Sequence, residues 1–138
     1  MRTYKKSIIL FCLAFFCLGM GGDAKEVVSS IPDPDREFSA RIVDKSDTAY
    51  EVDLLSIEGF TYLPANLGHA DVAIDFDRIR SVDFYMQGDT ELAVVRFADG
   101  SEKRFYLDPK TVLYARSKWG NLRLTCRDVK SIVFKEKN

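Results

Sequence analysis

The feature that most constrains this chain is a segment that occurs twice, in similar form, fifty residues apart. GHADVAIDFDRIRSVDF spans residues 68–84, and KWGNLRLTCRDVKSIVF spans residues 118–134. In both copies the aligned apolar residues are spaced two, two, three, three and two positions apart. A spacing of two is typical of a half-buried strand, and a spacing of three fits one tight helical turn. Each copy therefore predicts a strand, a single turn of helix and a second strand.

The same alignment predicts the core. The aligned apolar residues should be buried, because they fall on one face of each strand and on the turn between the strands. They are Val72, Ile74, Phe76, Ile79, Val82 and Phe84 in the first copy and Leu122, Leu124, Cys126, Val129, Ile132 and Phe134 in the second. Cys126 is the only cysteine beyond residue 24, so we interpret it as a small buried hydrophobe without a disulfide partner.

Period-two patterns extend over the chain from Phe38 onward, and no window of ten residues carries a helical stripe. The strand candidates are residues 38–43, 49–57, 70–76, 80–85, 91–98, 101–107, 111–116, 121–126 and 130–135. Hairpin, strand, one-turn helix and strand, in that order, resembles the arrangement of small SH3-like barrels. The resemblance implies an all-β fold of about eight or nine short antiparallel strands. They would form a pseudo-symmetric barrel or sandwich of two duplicated SH3-like units, about residues 38–87 and 88–138.

One tight hairpin is marked by Asp99-Gly100, because this pair favours the positive φ values of a short loop. A two-residue loop would place Val94 opposite Phe105 and Leu92 opposite Leu107. A glycine bulge would shift this register by one residue, and the sequence leaves both alternatives open.

The first 24 residues have the pattern of a helical export signal. A basic start precedes an apolar run over residues 7–20, which would be about 21 Å long as a helix, short of a ~30 Å hydrocarbon core. Gly22-Asp23-Ala24 suits a signal peptidase, so we expect cleavage after Ala24 and a secreted or periplasmic protein; an uncleaved anchor is the alternative. Residues 25–37 are predicted to be a flexible linker, and residues 38–138 a single all-β domain.

The two halves of the chain differ in charge. Residues 25–91 hold six Lys/Arg and fifteen Asp/Glu, whereas residues 92–138 hold eleven and five. The acidic ridge of the first repeat consists of Asp71, Asp75 and Asp77, and the basic ridge of the second consists of Arg123 and Arg127. We expect the halves to attract each other or a second copy of the chain; the alternative is that the basic half faces an anionic surface. The pI of about 5.8 argues against a nucleic-acid partner.

Sequence motifs for catalysis are missing. His69 is the only histidine, and no nucleophile motif, zinc-protease motif or phosphate-binding glycine loop occurs. No histidine or cysteine accompanies the acidic ridge at metal-ligand spacing. We therefore predict no metal, no cofactor and no enzymatic activity. A hydrolase remains a third hypothesis, because carboxylates are abundant.

Binding has more support in the sequence. Residues 58–70 are predicted to be the longest irregular loop, and exposed aromatic residues can stack on sugars or anchor a protein. The candidate binding residues are Phe60, Tyr62, Tyr106, Tyr114, Trp119, Arg123 and Arg127. The sequence predicts an exported, non-enzymatic binding module for a protein or glycan; the alternative is a structural envelope domain that self-assembles. Membrane contact is expected only through the signal peptide or an anionic surface.

Overall fold

The computed structural model describes residues 28–136 as an all-β protein, so the predicted class is confirmed. Ten antiparallel strands form one curled sheet, and this part of the chain contains two one-turn 3₁₀ helices and no other helix. The elements are β1 (Ala40–Asp44), β2 (Ala49–Ile57), β3 (Tyr62–Leu67), β4 (Ala70–Asp75), η1 (Phe76–Arg78), β5 (Ile79–Gln87), β6 (Thr90–Phe97), β7 (Glu102–Leu107), β8 (Val112–Ser117), β9 (Gly120–Thr125), η2 (Cys126–Asp128) and β10 (Val129–Phe134). The predicted signal segment lies outside the described residues. Among the residues that are described, no helix is long and apolar enough to cross a membrane.

One strand, β3, lies where the sequence predicted an irregular loop, so the loop assigned to residues 58–70 is wrong. Two residues of β3 are buried in the core, and the strand pairs along its full length with β4. Pro64 concealed the strand, because proline lacks the amide donor that a central strand normally uses. The structure accommodates this proline since β3 is in register with its other neighbour, β7, only at Asn66 and Tyr106.

The strand order interlocks the two halves of the chain. Across the sheet the order is β4-β3-β7-β6-β5-β10-β1-β2-β8-β9. The β3–β4 hairpin of the first half is joined to β7 of the second half, and the β8–β9 hairpin of the second half is joined to β2 of the first. The last strand, β10, lies in the middle of the sheet between β5 and β1. Neither half of the chain therefore completes its part of the sheet alone.

The same elements recur fifty residues apart. β3, β4, η1 and the start of β5 reappear, with fifty added to each position, as β8, β9, η2 and the start of β10. A backbone hydrogen bond recurs with them. The Phe76 amide donates to the Thr61 carbonyl at 3.2 Å, and the Cys126 amide donates to the Thr111 carbonyl at 2.8 Å. The spacing of the repeated sequence is thus also the spacing of the observed elements.

The Asp99-Gly100 turn has the register of the glycine-bulge alternative. The Phe97 amide donates to the Ser101 carbonyl at 2.8 Å, and Gly100 has a φ of 90°, in the region that favours glycine. Leu92 consequently lies opposite Tyr106. This register places an aliphatic and an aromatic side chain side by side on the outer face of the sheet.

The predicted core residues of both repeats all lie inside. Eight of the twelve are buried, and the remaining four are partly buried against the core: Val72, Leu122, Leu124 and Phe134. Phe38, Phe76 and Phe134 form an aromatic cluster with ring centroids between 4.9 and 6.3 Å apart. At the position that matches Phe76, Cys126 is fully buried, and burial raises the pKa of its thiol, as expected of a small hydrophobe.

Residues 28–39, which we call the N-terminal segment, contain no helix or strand. Their main attachment is Arg36. Its guanidinium donates to the Thr61 hydroxyl at 3.0 Å and forms salt bridges with Asp75 at 3.0 Å and Asp77 at 2.7 Å. The Asp77 amide and the Arg36 guanidinium both lower the pKa of the Asp75 carboxyl. Two members of the acidic ridge are thus paired with the N-terminal segment.

Two further contacts define the path of the N-terminal segment. The Asn121 side-chain amide donates to the Ser29 carbonyl at 3.4 Å. Pro32 lies against Gly59, where an added Cβ would be 3.3 Å from the proline Cβ. The N-terminal segment therefore runs from β9, past the β2–β3 connection, to η1.

The turn between β1 and β2 is stabilised by hydrogen bonds to the carboxylate of Asp44. The Ser46 hydroxyl donates to Asp44 Oδ1 at 2.6 Å, and the Tyr50 hydroxyl donates to Oδ2 at 2.8 Å. The amides of Thr48 and Ser46 also donate to Oδ1. These donors stabilise the charged form and lower the pKa of Asp44 to about 2.

We expect the Asp44 carboxyl to titrate with a midpoint of about 2 when its chemical shift is followed by NMR. Its contribution to stability is fully present above the ordinary aspartate pKa of about 3.9 and is lost as the pH falls towards 2. Tyr50→Phe should raise the midpoint, because it removes one donor. A midpoint at the ordinary value in the unmodified protein would contradict this assignment.

Candidate binding surface

An apolar row crosses the solvent side of the sheet on β5, β6 and β7. Tyr85, Leu92 and Tyr106, which we call the tyrosine row, face outward because each has a direct neighbour on its strand in the core: Phe84, Ala93 and Leu107. In register, Leu92 lies between the two tyrosines. Leu92 is only 5% exposed although it is outside the core cluster, whereas Tyr85 and Tyr106 are 54% and 40% exposed. The row thus presents two accessible rings on either side of a covered leucine.

Polar residues border the tyrosine row. In the next register along β6, Val94 lies between Asp83 and Arg104. Beyond Tyr106, the row continues on β3 with Asn66. An apolar centre with a polar rim is the usual anatomy of a surface that contacts a partner.

Exposed large apolar side chains occur on both faces of the sheet. Within residues 28–136 they are Phe60, Leu67, Tyr85, Met86, Tyr106, Trp119 and Val133. Two of these seven, Tyr85 and Tyr106, belong to the tyrosine row. Met86 and Leu67 directly follow Tyr85 and Asn66 on their strands, so they point to the opposite face of the sheet.

Two adjoining clefts open beside the tyrosine row, and we refer to them together as the groove. The larger, of about 630 Å³, is lined by Pro109 and Arg127 among others. The smaller, of about 400 Å³, is lined by Asp71 and Thr111 among others. Asn66, which extends the tyrosine row, lines both clefts. Asn66 therefore links the tyrosine row to the groove.

A buried glutamate lies next to the larger cleft. Glu91 is fully buried and pairs in register with Met86 and Leu107, which both line that cleft. Within residues 28–136, neither carboxylate oxygen has a hydrogen bond of good geometry, and Lys45 Nζ lies 3.5 Å from Oε1. Burial raises the pKa of Glu91, and the charge of Lys45 offsets this only in part.

Four of the seven sequence-predicted binding residues lie on or near this surface. Tyr62 and Arg127 line the groove, and Tyr106 belongs to the tyrosine row. Phe60 stacks on Tyr62 with ring centroids 4.9 Å apart. These four come from three separate parts of the chain.

The other three predicted residues lie elsewhere, on the β8–β9 hairpin. Tyr114 of β8 is opposite Arg123 of β9. Trp119 is in the turn between these strands, 75% exposed, with Lys118 Nζ 4.5 Å from its ring centroid. The structure does not bring them to the groove.

Sequence reasoning missed Tyr85 and Leu92 of the tyrosine row and the buried Glu91 next to the groove. Tyr85 could have been found, because strict alternation after the predicted core residue Phe84 turns it outward. Leu92 depended on the register of the Asp99-Gly100 hairpin, which the sequence left open. Nothing in the sequence indicates that Glu91 is buried, since a charged residue at the start of a strand is normally exposed.

The residues considered for metal binding or catalysis do not form a cluster. His69 is exposed in the β3–β4 turn. Among the described side chains, no group of three or more His, Cys, Asp or Glu is arranged to hold a metal ion. Asp75 and Asp77 are paired with Arg36 instead.

The fold and its surface define an antiparallel, single-sheet all-β protein with an exposed apolar row beside a groove. The chain belongs to the family described as "Uncharacterised protein", whose model matches residues 34–137. No curated protein and no solved structure matches it.

Proposed function

We propose that this protein is an exported, non-enzymatic module that binds a partner through the tyrosine row. The observation that supports this most strongly is the pair of accessible tyrosines around a covered leucine. Tyrosine is enriched at interface hot spots because it offers a large, rigid contact area and a polar end. If the row served only to stabilise the fold, we would expect the rings of Tyr85 and Tyr106 to be buried rather than about half exposed.

Site-specific crosslinking tests this proposal. A photoreactive phenylalanine at Tyr106 should give a discrete covalent adduct in intact cells, and Tyr85→Ser should reduce that adduct. Val133 is the matched control position, because it is also an exposed apolar residue on a strand of the same sheet. Adducts of equal yield at both positions, or none at Tyr106, would refute the tyrosine row as the contact surface.

We propose export on the basis of the first 24 residues. Sequencing of the N-terminus of the protein recovered from outside the cytoplasm should begin at Lys25 or within a few residues of it. A full-length chain that stays in the membrane would instead indicate the uncleaved anchor.

For the architecture, we propose two interlocked SH3-like units that arose by duplication. These units differ from the consecutive ones expected over about residues 38–87 and 88–138. One unit would combine β3, β4, η1 and β5 with the β6–β7 hairpin, and the other β8, β9, η2 and β10 with the β1–β2 hairpin. One support is that the elements recur fifty residues apart. The strand order is another: if each strand is replaced by its counterpart in the other unit, the order across the sheet is the original order read from the opposite edge. The matching amide bonds to the Thr61 and Thr111 carbonyls add to it.

Self-assembly is the second candidate, and the two outermost strands favour it. Among the strands of residues 28–136, β4 and β9 are the edges of the sheet and have one unpaired side each, and they carry opposite charge at Asp71 and Arg123. Pairing β4 of one copy with β9 of the next would be head-to-tail and would extend into open chains. Arg123→Glu with Arg127→Glu should then reduce the oligomer in sedimentation without altering the circular dichroism spectrum. A protein that sediments as a monomer at all concentrations would exclude this candidate.

A further inference from the structure

We propose that the groove binds an extended peptide segment of a partner protein and that a carboxylate of this peptide pairs with Arg127. The inference rests on the correspondence between the two units proposed above. In the first unit, the equivalent surface is already filled by the N-terminal segment of this chain. On the matching surface, the chain enters β6 directly from the β5–β6 turn, and none of residues 28–136 crosses the clefts there.

The positions that receive the N-terminal segment have counterparts along the groove. The N-terminal segment contacts four positions in the rest of the chain. Arg36 contacts Asp77 and Thr61, Pro32 contacts Gly59, and Ser29 contacts Asn121. Fifty residues away, the counterparts of these four are Arg127, Thr111, Pro109 and Asp71, and all four line the groove. The groove is thus the counterpart of a surface that accommodates a peptide segment without helix or strand.

The charge at the key position is reversed between the two units. Arg36 pairs with Asp77 at 2.7 Å, whereas the counterpart of Asp77 is Arg127. Among the described residues, no ion pair within 4.0 Å joins Arg127 to a carboxylate, although Asp89 and Asp108 line the same cleft. A ligand residue in the place of Arg36 must therefore be acidic to gain the same charge-assisted contact.

The conformation of the ligand follows from the same comparison. The N-terminal segment contains Pro32 and Pro34 and makes no ladder of backbone hydrogen bonds in the part that crosses the first unit. Proline-containing peptides are already extended in solution, so they lose little conformational entropy on binding. The groove should therefore favour an extended, proline-containing acidic peptide over a helical one.

Two synthetic peptides test the proposal on the purified protein. The first has the sequence of residues 29–38 with the substitution Arg36→Glu, and the second keeps Arg36. By fluorescence anisotropy we expect the glutamate peptide to bind at least tenfold more tightly. The N-terminal segment should keep its own place, because its attachment to the chain gives it a high effective concentration.

Charge reversal in the protein makes the test specific. Arg127→Glu should invert the preference between the two peptides, whereas the matched control Lys103→Glu, on an exposed part of β7 outside the groove, should leave it unchanged. Equal binding of both peptides, or no binding of either up to about 1 mM, would overturn the proposal. Crosslinking at Tyr106 does not depend on the groove, so this failure would be distinguishable from failure of the proposed function.

Discussion

Phe76→Ala should lower the free energy of unfolding by about 3–5 kcal/mol. Phe76 is 1% exposed, and its ring lies 5.3 Å from that of Phe38 and 4.9 Å from that of Phe134. Truncation removes the transfer free energy of the ring and leaves a cavity between two large neighbours from separate parts of the chain. The cavity should not close, because Phe134 is held by the pairing of β10, and the carbonyl of Phe38 accepts a hydrogen bond from the Leu55 amide of β2 at 3.1 Å.

Urea denaturation provides the measurement, with Phe60→Ala as the matched control. Phe60 is also a phenylalanine next to another aromatic ring, but it is 51% exposed. We expect the control to change the free energy of unfolding by less than about 1 kcal/mol. Equal losses in the two variants would mean that the aromatic cluster is not a principal part of the core.

Glu91→Met should raise the free energy of unfolding at pH 7 by about 1–4 kcal/mol. The carboxylate is fully buried without a hydrogen bond in the described part of the chain, and Lys45 at 3.5 Å compensates only part of the desolvation. Methionine fills a similar volume without a charge. Lys45, which is 39% exposed at its side chain, can turn to solvent when its partner is removed.

The pH dependence gives this second prediction an independent readout. Because burial raises the pKa of Glu91, the folded state binds a proton more readily than the unfolded state does. Stability should therefore fall as the pH rises from the ordinary glutamate value through the raised folded pKa, and Glu91→Met should abolish that fall. Glu51→Met is the control, because Glu51 is paired with Arg41 and Lys135 but exposed. A loss of stability in Glu91→Met at pH 7 would contradict the prediction.

Much of the fold could be predicted from local pattern. The repeated segment located four strands, both 3₁₀ turns and twelve inward-facing residues, because side-chain alternation is a property of each strand by itself. β3 was missed since Pro64 breaks the pattern at the one place where the sheet tolerates a missing donor. The interlocked strand order could not be predicted, because which strand joins which is decided by packing between distant segments.

The binding surface was predictable only in part, and for the same reason. Tyr62, Tyr106 and Arg127 were identified by residue type, but nothing in the sequence indicates that they meet. Leu92 lies opposite Tyr106 only because the register of the Asp99-Gly100 hairpin differs by one residue from that of a two-residue loop. The groove could be recognised as a binding site only by comparing the two halves of the chain. That comparison requires the path of the N-terminal segment, which is known only from the folded structure.

The central position of β10 has a consequence for the order of synthesis. The strands made before β10 lie on both sides of it, yet β10, which joins β5 to β1, is the last of the ten described strands to be made. A nascent chain that lacks β10 holds two partial sheets without the strand that connects them, so stable folding must wait until β10 has been made. For a protein exported as we propose, this delay is useful. The polypeptide would remain threadable until β10 has been made, and folding would be completed on the far side of the membrane.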